Sequence, residues 1–163
     1  MCKPQHKFQI VSLSKVHALE IFRWRYPLPY DFYNPPESNN PELLLDTTFQ
    51  FHAIVDDNNQ FLGFCSFGID GQVSGGNYSM PAIDIGLGMK PSLTGQGFGS
   101  SFFKAILDFA INNYEAEIVR LSVANFNQRA LSLYKNFGFQ AQQTFNNPNN
   151  DVDYTILTLK IKK

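Results

Sequence analysis

A short β-type run that ends in a glycine-punctuated turn and opens straight into an amphipathic helix constrains this chain more than any other stretch. Ala82-Ile83-Asp84-Ile85-Gly86-Leu87-Gly88-Met89 reads as a strand, and Lys90-Pro91-Ser92 ends it. Thr94-Gly95-Gln96-Gly97-Phe98-Gly99-Ser100 follows, then a predicted helix over Ser101 to Asn112. Three glycines at alternate positions add nothing to a core. They permit φ values that other residues avoid and let backbone approach something closely. The first N–H groups of the helix have no partner within it, and with the helix dipole behind them they suit a phosphate. Two readings stand side by side: a tight strand-to-helix connection, or a cradle for the pyrophosphate of a cofactor.

Two well-known phosphate motifs do not fit. A P-loop needs Lys-Ser or Lys-Thr after its last glycine, and Gly99 is followed by Ser100-Ser101-Phe102. A dinucleotide fold needs Gly-x-Gly-x-x-Gly with an acidic residue about 20 residues on. Here the spacing is Gly-x-Gly-x-Gly, and Glu115 and Glu117 precede the next strand instead of ending it.

The chain has 163 residues, 44% hydrophobic and 17% charged, which predicts one folded domain over residues 1–163 with a substantial core. A net charge of −1 argues against a nucleic-acid partner. No apolar run reaches the ~20 residues of a membrane span, and the N-terminal residues lack the apolar stretch of a secretion signal. Cys2 and Cys65 are not expected to pair, which favours a reducing, cytoplasmic setting. His6, His17 and His52 show no metal-ligand spacing with them, so no metal is expected.

From the N-terminus, Phe8 to Leu13 reads as a strand, and Ser14 as the N-cap of a helix over Lys15 to Trp24. The segment Trp24 to Pro36 holds four prolines and five aromatics, an unusual density of rings for a loop. We read it as a wall of an acceptor pocket, with Trp24, Tyr26, Tyr30, Phe32 and Tyr33 as substrate-binding candidates. The alternative, ring by ring, is packing. Pro41 to Asp46 allows one or two helical turns. Phe49 to Val55 and Phe61 to Ile69 form a meander across the turn Asp56 to Gln60. Asp70 to Pro81 is a polar, glycine-rich surface loop. After the central strand and helix, Ile118 to Val123 is a strand, which makes a parallel pair joined by a helical crossover. Asn127 is a plausible N-cap for a helix carrying Ala130, Leu133, Tyr134 and Phe137, and Gly138 stops it. Phe139 to Phe145 and Val152 to Ile161 are the last strands.

Two motifs now stand in order: the glycine turn at a helix start, and Asn127-x-x-Ala130-x-x-Leu133-Tyr134-x-x-x-Gly138-Phe139 one strand later. Together, over about Ile83 to Phe139, they resemble the GNAT family of acetyl-CoA-dependent N-acyltransferases. The family's turn motif (Gln or Arg, two residues, Gly, one residue, Gly or Ala) maps onto Thr94-Gly95-Gln96-Gly97-Phe98-Gly99. Thr94 departs from the usual first residue, and Gln96 is its partial substitute. The resemblance implies an α+β fold: a mixed, mostly antiparallel sheet of about six to seven strands, a central parallel pair splayed apart, and helices on both faces. It implies acetyl-CoA as cofactor, held by Leu87, Gly88, Met89, Thr94, Gly95, Gln96, Gly97, Phe98, Gly99, Ser100, Asn127 and Tyr134. The pantetheine arm would pair with Gly86 to Met89 like an added strand, and an N–H near Leu87 to Met89 would polarise the thioester oxygen.

The resemblance also places Tyr134 as general acid beside the cofactor sulfur. A thiol pKa of about 8.5 and a tyrosine pKa of about 10 make proton sharing easy. Without the resemblance Tyr134 reads as a core aromatic. An ammonium acceptor, with a pKa of about 10.4 if lysine-like, needs a base. Asp84 is the best candidate by position, against the alternative of a solvated strand-end carboxylate; Asp31, Glu37 or a water chain are others. The expected activity is acetyl transfer from acetyl-CoA to a primary amine of a small molecule or peptide. The alternative is a non-catalytic acyl-CoA sensor or partner domain. A homodimer is left open.

Overall fold

The computed structural model describes residues 7–161; Cys2 and His6 lie outside them. Among the described residues there are seven strands: β1 (Gln9–Ser12), β2 (His52–Val55), β3 (Phe61–Phe67), β4 (Ile83–Met89), β5 (Ile118–Ala124), β6 (Gln140–Asn147) and β7 (Val152–Lys160). The helices are α1 (Lys15–Ile21), α2 (Glu42–Leu45), α3 (Gly99–Asn113) and α4 (Gln128–Asn136). The strands form one sheet in the order β1-β2-β3-β4-β5-β7-β6. β4 and β5 are parallel, and β1–β2, β2–β3, β5–β7 and β6–β7 are antiparallel. This is the mixed, mostly antiparallel sheet with one parallel pair that the family resemblance implies. The parallel ladder runs through Ile83↔Val119 and Asp84↔Arg120.

The chain divides into two compact units. The first takes the described residues up to Ser66 together with Leu87–Phe109. Ser14 caps α1 as predicted: its Oγ accepts the His17 N–H at 3.2 Å, and His17 Nδ1 accepts the Ser14 N–H at 3.1 Å, a reciprocal capping box. The helix is shorter than predicted. Arg23 and Trp24 donate to Glu20 and Ile21, three residues back, so the chain tightens into a turn. Phe102, Phe103, Ile106 and Leu107 bury one face of α3, while Lys104 and Asp108 form an exposed pair one turn apart. Each such buried side chain contributes about 1.5–3 kcal/mol. β2 starts at His52 and not at Phe49, because Gln50 takes a left-handed φ of 48° and breaks the extended run.

The second unit takes Phe67–Gly86 and the described residues from Ala110 onward. Val119, Leu121 and Val123 on β5, and Ile156 and Leu157 on β7, are buried. Asn127 caps α4 through its Oδ1, which accepts the Ala130 N–H at 3.1 Å. Gly138 stops the helix at φ 98°, with Phe139 N–H donating back to the Tyr134 carbonyl at 3.1 Å. Among the described residues no helix is long and apolar enough to cross a membrane.

Candidate active site

In the first unit, the glycine turn has the backbone that its sequence anticipates. Gly95 and Gly97 stand at φ 73° and 87°, the left-handed region that other residues avoid. No protein atom lies within 4 Å of where a Gly97 Cβ would stand. Gly95, Gln96, Gly97 and Ser100 are exposed. Phe102 N–H donates to the Phe98 carbonyl at 3.0 Å, so α3 begins at Gly99, two residues earlier than predicted. The third glycine therefore belongs to the first helical turn. A 15-residue helix aims its N-terminal N–H groups at this open turn.

The polar side chains of the turn brace it from within. Thr94 Oγ1 donates to the Pro91 carbonyl at 2.8 Å, and Gln96 Nε2 donates to the Ser92 carbonyl at 2.6 Å. What the turn offers an anion is therefore backbone N–H more than side chain. Exposed, left-handed glycines at a helix N-terminus fit a pyrophosphate.

The end of β4 lies in the same unit. Leu87, Gly88 and Met89 are half-buried. A Cβ on Gly88 would run into the Phe64 ring, and one on Gly63 into the Phe102 ring and the Gly88 carbonyl. Gly88 thus serves close packing of β4 on β3. The Met89 carbonyl accepts a 2.7 Å hydrogen bond from the Tyr26 hydroxyl, and Lys90 N–H donates to the Leu62 carbonyl at 2.8 Å.

The five aromatics read as an acceptor wall separate. Trp24 is 5% exposed, stacked against Phe61 and Phe64 at 5.4 and 6.1 Å, with Nε1 donating to Glu20 Oε2 at 3.2 Å. It is a core residue, and the expectation that it touches an acceptor is corrected. Tyr26 is half-buried, and its hydroxyl is directed at β4 rather than at a ligand. Burial pushes its pKa up to about 12. Tyr30–Tyr33 form a single 3-10 turn. Phe32 and Tyr33 meet edge to face at 5.1 Å and are each 38% exposed. Of the five rings those two are the exposed ones, and Tyr30 is half-buried. His52 is a strand residue bonded through Nδ1 to the Gln50 carbonyl at 2.8 Å.

In the second unit Tyr134 is 6% exposed on α4, its ring 6.1 Å from that of Phe139. Asp84 departs most from expectation. It is 2% exposed and held by Arg120, itself 3% exposed, through Nε to Oδ1 at 2.6 Å and Nη2 to Oδ2 at 2.8 Å. Gln72 Nε2 adds a third donor at 2.9 Å. A buried carboxylate committed to a guanidinium fork is neither the solvated strand-end group nor a base that an incoming amine can reach. The sequence signal missed was Arg120, a lone charge inside the apolar run Ile118-Val119-Arg120-Leu121. Around it, Arg120 Nη1 donates to the Met80 carbonyl at 2.7 Å, and the Tyr78 ring lies 4.9 Å from its guanidinium carbon. Tyr78 Oη meets Ser122 Oγ at 2.6 Å and accepts the Val73 N–H. The predicted surface loop is exposed or half-buried throughout, and this network pins it. A groove of about 580 Å³ in this unit is lined by residues 80–83 and 114–118, none of them a predicted site residue.

No curated protein sequence matches the chain. Among solved structures, a chimeric spermidine N-acetyltransferase SpeG from Vibrio cholerae and hSSAT superposes with a TM-score of 0.74 at 20% identity, covering 94% of this chain and 95% of that one. A spermidine N-acetyltransferase from Vibrio cholerae, in complex with CoA and spermine, gives 0.72 at 18% identity over 94% and 95%. At such identity the likeness is one of fold. The family model described as "Acetyltransferase (GNAT) family" matches residues 16–139, which spans both the glycine turn and the Asn127 to Phe139 motif. The chain belongs to the GNAT acetyltransferase family.

Proposed function

We propose that the chain moves an acetyl group from acetyl-CoA to a primary amine of a small molecule or peptide, by direct attack with both bound. The observation that carries this reading is the Gly95–Gly97 turn, left-handed, exposed and open, at the head of a 15-residue helix. Acetyl-CoA, when bound, supplies a thioester carbonyl as electrophile and a sulfur leaving group, so the amine gains the acetyl and loses a proton while the sulfur departs with one. Gly95, Gly97 and the first N–H groups of α3 hold the pyrophosphate. Backbone N–H groups near Leu87 to Met89 bind the arm and polarise the thioester oxygen. Asn127 adds a hydrogen bond to the arm besides capping α4. Tyr134 gives its hydroxyl proton to the sulfur. With Asp84 committed to Arg120, water takes the proton from the amine.

The segment 31–46 bears Asp31, Glu37, Glu42 and Asp46, all exposed, and no lysine or arginine. Beside the outward rings of Phe32 and Tyr33, this supports an acceptor that is cationic with an apolar part. The Vibrio relatives' polyamines make spermidine and spermine the first acceptors to try. The test is thiol release from acetyl-CoA with spermidine, spermine, an arylalkylamine and a peptide with a free N-terminus, against acetyl-CoA alone. Amine-dependent release, matched one for one by acetylated amine, is expected. Tight acetyl-CoA binding with no release for any amine would favour the non-catalytic sensor instead.

A further inference from the structure

Resting on the acetyl-CoA reading above, we infer that Tyr26 is a positioning residue for the pantetheine arm, tying the segment that carries the outward rings to the end of β4. Tyr26 is held on both sides. Its hydroxyl donates to the Met89 carbonyl at 2.7 Å, 63 positions along the chain. Its backbone N–H donates to Asn34 Oδ1 at 2.7 Å, eight positions on, and so closes the base of the loop that carries Tyr30, Phe32 and Tyr33. The Asn34 N–H in turn donates to the Asp31 carbonyl at 3.0 Å, at the end of the 3-10 turn.

A second tether runs in parallel. Glu20 accepts from Trp24 Nε1 at 3.2 Å and approaches Lys90 Nζ at 3.9 Å, the residue after Met89. The ion pair is half-exposed and weak by itself. Its partner Lys90 is fixed through its backbone, which donates to the Leu62 carbonyl at 2.8 Å. The base of the loop is therefore fastened to consecutive residues of one strand end.

In the acetyl-CoA reading that strand end is where the arm pairs backbone to backbone. A carbonyl already accepting from a phenol is fixed in direction, and the peptide plane that it shares with the Lys90 N–H is fixed with it. Tyr26, together with the Leu62 carbonyl that accepts the Lys90 N–H, sets that plane before any ligand arrives. The phenol stays a donor through the neutral range, since burial disfavours its ionisation. A shift of the loop moves Tyr26, and Tyr26 moves the strand end; anything that orders the loop also orders the arm's binding edge, and the effect is reciprocal.

The experiment compares two ligands on purified protein by calorimetric titration: acetyl-CoA, and the phosphoadenosine diphosphate fragment of CoA, which lacks the arm. Tyr26→Phe is expected to weaken acetyl-CoA about three- to tenfold, the span of one net hydrogen bond, and to leave the fragment unchanged. Asn34→Ala, which loosens Tyr26 from the loop side, is expected to shift acetyl-CoA in the same direction by a smaller factor, and it carries the test if Tyr26→Phe does not fold. Equal affinities for variants and wild type would overturn the inference. Equal weakening of both ligands would overturn it too, since that is general loss of structure. A wild-type protein that binds acetyl-CoA while the variants match it sinks only the role of Tyr26; a wild type that binds neither ligand removes the cofactor reading and this inference with it.

Discussion

Tyr134 occupies a position where a core aromatic and a proton donor differ by one oxygen. Its ring is buried against Phe139, so phenylalanine fills the same space and only the hydroxyl is lost. Tyr134→Phe is expected to lower kcat about a hundredfold, the lower end for general acid catalysis because a thiolate leaves readily, with the acetyl-CoA Kd changed less than about twofold. Steady-state kinetics beside a binding titration checks this; an unchanged kcat across the pH range removes Tyr134 from the mechanism. Tyr26 gives a second residue-scale prediction. Its folded pKa is raised by burial to about 12 from an ordinary 10.0. The stability it contributes is therefore complete below about pH 10 and is lost as pH rises towards 12. Thermal melts across that window should fall for the wild type and less steeply for Tyr26→Phe; parallel curves would contradict the assignment. Residue roles were the least legible level in the sequence. Trp24 and Tyr26 sit two apart in one proline-rich segment, and nothing local says that one ring enters the core while the other reaches a strand more than sixty residues on. Asp84 looked accessible because its partner is 36 positions away, on β5.

At the scale of elements the sequence speaks more plainly, because caps and stops are local chemistry. Ser14, Asn127 and Gly138 do what their residue types do at helix ends. The misplaced boundaries have local causes as well. α3 reaches back over Gly99 because a helix tolerates glycine in its first turn once Phe98 supplies the carbonyl. β4 and β5 are fastened at their N-terminal ends by the Asp84–Arg120 pair, alongside the short parallel ladder. Asp84→Asn keeps the shape and removes the charge, leaving Arg120 buried without a counter-ion. A loss of about 3–5 kcal/mol is expected by denaturant unfolding, the cost of breaking a buried pair from one side. A loss under about 1 kcal/mol would mean that the guanidinium is satisfied by Met80 and Tyr78 alone, and that Asp84 is retained for something other than this pair.

Over the whole molecule, the family resemblance supplies the sheet, and the order of elements supplies its parallel pair. A meander, a strand-turn-helix-strand crossover and a final hairpin leave few ways to arrange seven strands, and the observed order β1-β2-β3-β4-β5-β7-β6 is one with a single parallel pair. The insertion of β7 beside β5, ahead of β6 in the sheet, is long-range pairing that no local pattern encodes. The two motifs that carry the family assignment are separated by a strand and together lie within the matched residues 16–139. Whether the glycine turn holds the pyrophosphate of acetyl-CoA is tested by calorimetric titration of the wild type and of Gly97→Val with acetyl-CoA, with ATP as control and circular dichroism to establish that both proteins fold. Valine at φ 87° is strained, and its side chain enters space that no protein atom fills. The expected result is tight acetyl-CoA binding by the wild type, none of ATP, and at least about hundredfold weaker acetyl-CoA binding by a folded Gly97→Val; normal binding by that folded variant, or no binding by the wild type, would rule out the phosphate cradle.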